Sequence, residues 1–324
     1  MNVLVTGASG FIGRALVKEL IHRKDKVSVF LHTRRIPEEN LCETYRGDIC
    51  DSDKLRTAMK NMDVVFHLAA SMGASQNSER EFFRINKGGT KAVLKAAKET
   101  GVKKCIHFSS AGVLGSVKKN KGVKEDYPPN PISVYDRSKL AGERTAIAFS
   151  KQGMDIVVVR PGWVYGPGDK RTFKLIEAIS NKKFIFVTGK KTFQTPVYIH
   201  DLVNAALLCM EKGQKGEIYH LAGDEVLTVK EMARNIAEAA DVCFPTVPLP
   251  LFFLKTTAFI LEEGCGIFNR EAPLTKGRLA FFTDSKPLSI SKAEFELGYS
   301  PQYDFKNGIR KTVNWYKEKG WLSR

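Results

Sequence analysis

A chain that opens Met1-Asn-Val-Leu-Val-Thr-Gly7-Ala-Ser-Gly10-Phe-Ile-Gly13 has few ways to begin folding. A short apolar strand runs into three glycines, and a helical pattern follows from Ile12 to about Ile21. Gly7 permits a tight turn without a Cβ penalty. In a strand–turn–helix of this kind, the second glycine lets backbone approach a pyrophosphate and the third allows close helix–strand packing. The helix N-terminus then offers open N–H groups and a favourable dipole end to the anion. The spacing is GxxGxxG rather than GxGxxG, but its placement after a strand and at a helix start is the context that a dinucleotide fingerprint requires. Gly7, Ser9, Gly10, Phe11, Ile12 and Gly13 form the first part of an expected cofactor site.

The following residues repeat the βα rhythm. Asp25 to Phe30 reads as a second strand, and its end meets the adenosine ribose in a dinucleotide fold. An acid there favours NAD. This chain carries His32-Thr33-Arg34-Arg35 instead, and arginine forks suit a phosphate, so the reading leans to NADP with NAD left open. His32 and Arg34 join the expected site. Tyr45 to Ile49 reads as a short third strand and loop. Asp48 either accepts from the adenine amino group, with Ile49 packed on the ring, or caps the helix that begins near Asp51 or Ser52. Asp63 to Ala70 reads as a buried strand whose small end, Leu68-Ala69-Ala70, lets the chain pass close to the cofactor. His67, inside that strand, reads as packed and hydrogen-bonded. A helix is expected over Asn86 to Thr100, with Gly88-Gly89 near its start.

Lys104 to Ser110 reads as a further buried strand, with Ser109 and Ser110 at the carboxyl end where parallel sheets bind ligands. A loop rich in glycine, lysine and proline then runs from Gly112 to Pro131, long enough to be functional. Ser133 to Phe149 is expected to be helical and contains Tyr135-Asp-Arg-Ser-Lys139. Residues four apart share a helix face. Tyrosine ordinarily titrates near 10, too high for a base at neutral pH. A neighbouring ammonium and an oxidised nicotinamide both favour the phenolate. Taken alone, such a pair is an ordinary surface contact. Beside the glycine motif and the Ser109-Ser110 strand end, it becomes a candidate catalytic set of Ser110, Tyr135 and Lys139, with Lys139 also holding the nicotinamide ribose.

Asp155 to Pro161 is expected as the next parallel strand. Gly162 to Asp169 follows as a small-residue loop near the nicotinamide, which adds Pro161, Gly162 and Val164 to the cofactor set. Phe173 to Ser180 reads as a helix, Thr195 to His200 as extended, and Asp201 as the cap of a helix running to about Met210. Gly216 to Gly223 reads as a strand, and Thr228 with Glu231 has capping-box spacing. Pro245 to Leu261 is strongly apolar. It reads as the core of a small lobe, with a hydrophobic substrate wall or membrane-contacting face as the rival. Leu288 to Ser291 reads as a short strand, Lys292 to Leu297 as a helical turn closed by Gly298, and Phe305 to Lys319 as an amphipathic helix.

Composition narrows the classes. The 324 residues are 43% hydrophobic and 27% charged, a soluble globular balance. No run reaches the roughly 18 apolar residues of a membrane span, and the N-terminus reads as a buried strand rather than a leader. Six scattered cysteines show no metal spacing, so reduced thiols in a cytoplasmic protein with no metal are expected. The 51 basic and 35 acidic residues leave a net charge of +16. The charges are spread and no nucleic-acid motif is present, so a lysine-rich solvated surface is expected, with weak membrane-surface association as an alternative.

These residues together resemble the extended short-chain dehydrogenase/reductase superfamily of the NAD-dependent epimerase/dehydratase type. The matching elements are Thr6 to Gly13, Asp48-Ile49, His67 to Ala70, Ser109-Ser110-Ala111, Tyr135-xxx-Lys139, and Arg160-Pro161 through Gly166-Pro167-Gly168. The resemblance implies an α/β fold: a Rossmann-type doubly wound parallel sheet of seven strands with a smaller C-terminal substrate lobe. It implies a dinucleotide-binding unit over 1–165 with returning segments near 195–222, and a substrate lobe from 166–194 and 223–324. It also implies a homodimer and a Ser–Tyr–Lys site on Ser110, Tyr135 and Lys139. Nucleotide-sugar enzymes of the family commonly carry an asparagine after the arginine strand, and dehydratases an acid pair after the serine. Here Trp163 and Ala111-Gly112 follow instead. Pro273 to Lys276, and Ser289 through Pro301, resemble the 3β-hydroxysteroid dehydrogenase and dihydroflavonol reductase branch. The expectation is hydride transfer between a nicotinamide and a secondary alcohol or ketone on a hydrophobic small molecule. The alternatives are a nucleotide-sugar 4-epimerase with retained NAD and a non-enzymatic NAD(P)-sensing protein.

Overall fold

The computed structural model describes residues 1–72, 78–182, 184, 186–188, 191–244, 248–250 and 276–322. Seven parallel strands form the central sheet: β1 Asn2–Thr6, β2 Lys26–Leu31, β3 Glu43–Arg46, β4 Val64–His67, β5 Lys104–Phe108, β6 Ile156–Pro161 and β7 Ile218–Leu221. Their order across the sheet is β7-β6-β5-β4-β1-β2-β3. The direction of winding therefore reverses between β1 and β4, the crevice where doubly wound sheets bind ligands. This is the expected Rossmann-type sheet.

Strand periodicity divides the core. Val3 and Val5 of β1 face one hydrophobic layer and Leu4 the other; Val157 and Val159 of β6 do the same against Ile156 and Val158. The first layer is covered by the helix Phe11–His22, which buries Gly13, Leu16, Val17 and Leu20. That i, i+3, i+4, i+7 pattern is one helical face. The second layer packs under Ser52–Met59 and Thr90–Thr100. Several smaller elements extend the sheet's carboxyl edge. Trp163–Tyr165 pairs in parallel with Pro196–Tyr198, and Phe193–Gln194 pairs antiparallel with Leu227–Thr228. Thr228 and Glu231 form the expected capping box on the helix Val229–Ala239.

Four expectations differ from the structure. The helix expected from Asn86 opens at Glu79, capped by Ser78, and passes through a π turn at Arg84–Gly89 before Thr90–Thr100. Gly88-Gly89 thus lies inside the helical run, and the wider turn is where Asn86 reaches out to Ser71 and Ser138. Asp201 is not a cap: the helix Ile199–Lys212 starts two residues earlier, and the buried Asp201 carboxylate accepts from the backbone of Gln302 and Tyr303. Leu288 makes a single bridge to Val123 rather than a strand, because its neighbours are held by the 112–131 loop through Val123 N to Pro287 O and Ser289 N to Val123 O. The helix expected from Phe173 starts at Lys170, where Asp169 supplies the cap. The apolar Pro245 to Leu261 stretch lies outside the described residues apart from the backbone of the strand Pro248–Pro250, and so do residues 273–275.

One buried ion pair ties these parts together. Arg160 on β6 and Glu143 on the helix Val134–Lys151 are each 2% exposed, with Arg160 Nη2 donating to Glu143 Oε1 at 2.6 Å and Nε to Oε2 at 3.0 Å. Ser109, just past β5, donates to the same carboxylate at 2.6 Å, and Arg160 Nη1 donates to the Glu125 carbonyl in the long loop. Arg160→Met strands the Glu143 charge in the core. The expected cost is about 3–5 kcal/mol of unfolding free energy, read as a lowered denaturant midpoint at unchanged m-value.

Candidate active site

The carboxyl ends of β1, β2, β4, β5 and β6 border one cleft of about 890 Å³. Every residue of the expected site, from Gly7 to Val164, lines it. At its floor Gly7 has φ +73°, and a Cβ there would stand 2.6 Å from the Ala69 nitrogen. A Cβ on Gly13 would stand 2.3 Å from the Gly7 carbonyl. Gly10 caps the helix Phe11–His22 without a side chain, so no side chain occupies the first-turn N–H groups. An open helix end beneath a backbone-tight cradle fits a dinucleotide pyrophosphate.

Around this floor the strand ends are held by directed hydrogen bonds. Thr90 Oγ1 donates to the Asn86 carbonyl at 2.7 Å, so it can only accept from His67 Nε2 at 3.0 Å. His67 Nδ1 is therefore an acceptor, and Thr6 Oγ1 donates to it at 2.9 Å while accepting from Ala69 N. Burial, and then the nearby Lys139, push the imidazole down to about 3, which keeps it neutral and the chain one-directional. His67 is a packed, hydrogen-bonded group, as expected. Leu68, Ala69 and Ala70 lie at the end of this chain and line the cleft.

At the adenosine end His32, Arg34, Asp48 and Ile49 line the cleft, and no acid stands at the end of β2. Asp48 is not the helix cap; Asp51 fills that role by accepting from Lys54 N. Asp48 instead accepts from Cys50 N at 2.8 Å and from both Nη atoms of Arg84 at 3.1 and 3.0 Å. The Arg84 guanidinium holds the Asp48 carboxyl below its ordinary range. Arg84 itself is closed by Glu81.

Ser110, Tyr135 and Lys139 meet at the other end. Ser133 caps the helix Val134–Lys151, which places Tyr135 in its first turn and Lys139 one turn on. Ser110, two residues past β5, accepts from Gly112 N at 3.0 Å, which starts a short 3₁₀ turn. Burial pushes the Tyr135 phenol up to about 12, Asp136 adds to this, and only Arg171 and a hydrogen bond with Ser110 pull it down. The Lys139 ammonium donates to the Phe108 carbonyl. Burial pushes Lys139 itself down to about 8, opposed by Glu143 one turn further.

Lining residues not foreseen include Glu81, Arg84 and Arg171. A chain with 51 basic residues hides individual arginines, and Arg84 needed the π turn to reach Asp48. Among the described residues no group of His, Cys, Asp and Glu is placed to hold a metal, and no helix is long and apolar enough to cross a membrane.

Sheet, switch point and glycine cradle define a Rossmann-type enzyme built around a nicotinamide dinucleotide. The model of the NAD dependent epimerase/dehydratase family matches residues 3–222, and the chain belongs to that family. It is 26% identical to sterol demethylase protein B of Methylococcus capsulatus, over 99% of this chain and 100% of that protein. It is 29% identical to a dTDP-glucose 4,6-dehydratase of an Actinoplanes species, over 98% of both. Among solved structures it resembles gox2253 (27% identity, TM-score 0.83, 99% of both chains). It also resembles MoeE5 in complex with UDP-glucuronic acid and NAD (25% identity, TM-score 0.78, 98% of this chain and 100% of that one). The relatives span more than one branch, so the family is shown and the 3β-hydroxysteroid branch is not singled out.

Lys139 leaves a signature in stability. Its folded value, about 8, lies below the ordinary lysine value of about 10.4, so the unfolded chain binds more protons between those values. Unfolding free energy contributed by this group therefore rises with pH across that window and is flat below it. Subtracting a Lys139→Met curve from the wild-type curve, from pH 7 to 10, is expected to leave this positive slope; a flat difference refutes it.

Proposed function

We propose that the cleft carries out NAD(P)-dependent hydride transfer at a secondary carbinol or ketone carbon. The observation that carries this reading is the convergence of Ser110, Tyr135 and Lys139, from two separate elements, on the cleft floored by Gly7, Gly10 and Gly13. A bound nicotinamide accepts or returns the hydride. The Ser110 hydroxyl orients the substrate oxygen, and the Tyr135 phenol takes or returns the proton of that oxygen. Lys139 supplies positive charge beside them and reaches the nicotinamide ribose. Residues 1–165 with 195–222 then hold the cofactor, and 166–194 with 223–324 form the substrate lobe.

For the substrate we propose a nucleotide sugar, oxidised and re-reduced as in a 4-epimerase. Full-length similarity to MoeE5, solved with UDP-glucuronic acid and NAD, supports this class and supports NAD as the cofactor. Arg34 at the end of β2 remains the feature that favours NADP. Ala111-Gly112 after Ser110, in place of an acid pair, speaks against dehydration. A second reading is a hydrophobic, steroid- or terpenoid-like alcohol. It is favoured by Trp163, which lines the cleft where nucleotide-sugar enzymes commonly carry asparagine, and by the relation to sterol demethylase protein B.

Tyr135→Phe is expected to lower turnover by at least ~10²-fold while leaving dinucleotide affinity within about twofold. Unchanged turnover removes Tyr135 from the chemistry. Two assays separate the substrate classes. An epimerase purifies with bound NAD and interconverts UDP-sugars without external redox partner, whereas an alcohol dehydrogenase accumulates reduced cofactor with 3β-hydroxysterols. Paired titrations with NAD and NADP, on wild type and Arg34→Ala, decide the cofactor.

A further inference from the structure

Hydride transfer as described leaves one cation of the cleft without a task. Arg171 lines the cleft at the end that holds the reacting groups, and its charge acts on the Tyr135 phenol. The other cations of the cleft have tasks or partners already: Arg34 faces the adenosine end of the cofactor. Arg84 is closed by Asp48 and Glu81, and Lys139 donates to the Phe108 carbonyl. Arg171 has one ionic partner, Asp169, reached through Nε at 3.3 Å. Its two Nη groups have no protein partner among the described residues, and the side chain is 59% exposed.

The mount beneath this guanidinium is rigid. Asp169 is buried, caps the helix Lys170–Ser180 by accepting from the backbone of Arg171 and Thr172, and accepts from Thr172 Oγ1 at 2.7 Å. The Asp169 carbonyl accepts from Tyr316 Oη at 2.7 Å, an anchor supplied by the last helix, Phe305–Glu318. The side chain is therefore held at its Nε while its Nη edge remains available. Two N–H groups in one plane match the two oxygens of a carboxylate. With Asp169 bound at Nε, the open edge offers directed N–H donors rather than an excess of positive charge.

We propose that Arg171 is a substrate-recognising residue and that the substrate is a hydroxy acid, its carboxylate lying beside the carbinol carbon that reacts. This rests on the hydride-transfer reading of the cleft. The C–H electron pair leaves as hydride to the oxidised nicotinamide, the O–H proton passes to Tyr135, and the product is a keto acid with its carboxylate still on Arg171. A sugar acid and a lipid-like acid present the same chemistry.

Two matched pairs test it: UDP-glucuronic acid against UDP-glucose, and a 3β-hydroxysterol 4-carboxylate against the same sterol without the carboxylate. Binding is measured by calorimetry with NADH bound, where the alcohols cannot be oxidised. In one pair the acid is expected to bind about tenfold or more tighter than its neutral partner. Arg171→Gln should shrink that gap to about twofold or less, and Arg171→Lys, which keeps a point charge without the fork, should retain part of it. The thermal unfolding midpoint reports on folding in both variants. Equal affinity within both pairs, failure of both acids to bind, or equal loss for acid and neutral ligand in Arg171→Gln overturns the proposal. Turnover with NAD is read separately: absence of oxidation counts against hydride transfer while the binding preference still decides the role of Arg171.

Discussion

The site depends on two charges in the core. Glu143 and Arg160 are almost wholly excluded from water, and each is costly there alone. Their pairing is made from the helix that carries Tyr135 and Lys139, the strand that leads into Pro161 and Gly162, and the hydroxyl of Ser109, next to Ser110. The carbonyl of Glu125 draws in the long loop as well. A buried pair of this kind is poor as a source of stability but demanding in geometry. No element can shift without breaking a charge-assisted hydrogen bond, so the three candidate catalytic groups share one frame.

The same economy of arrangement governs charge in the cleft. Neutral His67 links Thr6 to Thr90 in a single donor order and leaves no spare proton near the cofactor floor. Arg84 and Asp48 cancel at the adenosine end. Lys139 is held by a carbonyl, and burial lowers its affinity for a proton. At the reacting end Asp169 meets Arg171 at Nε only, which leaves the Nη edge open to the cleft.

Much of this could be read from the chain. Strands of the central sheet alternate or run apolar, and the glycine turn is local, so Gly7 to Gly13 announces both the fold and the cofactor cleft. Tyr135 and Lys139 are legible because helical spacing alone places them together. Features set by distant partners were not. Asp201 looks like a cap in sequence, but its partners lie at residues 302 and 303. Leu288 looks like a strand residue, but its neighbours are bound by a loop more than 150 residues earlier. The burial that raises the Tyr135 phenol is set by the fold around it and carries no local sequence signal. Arg171 is not legible in the sequence because its place in the cleft depends on the fold around it.

Tyr316 has a consequence for how the molecule comes into being. Its hydroxyl holds the carbonyls of Gly166 and Asp169, the turn from which Arg171 projects, across about 150 residues of chain. The seven-stranded sheet is complete once β7 has left the ribosome, and domains form as units during synthesis. The cofactor cradle can therefore assemble while the final hundred residues are still being made. On the role proposed for Arg171, the mount of the recognising side chain is completed only by the last helix.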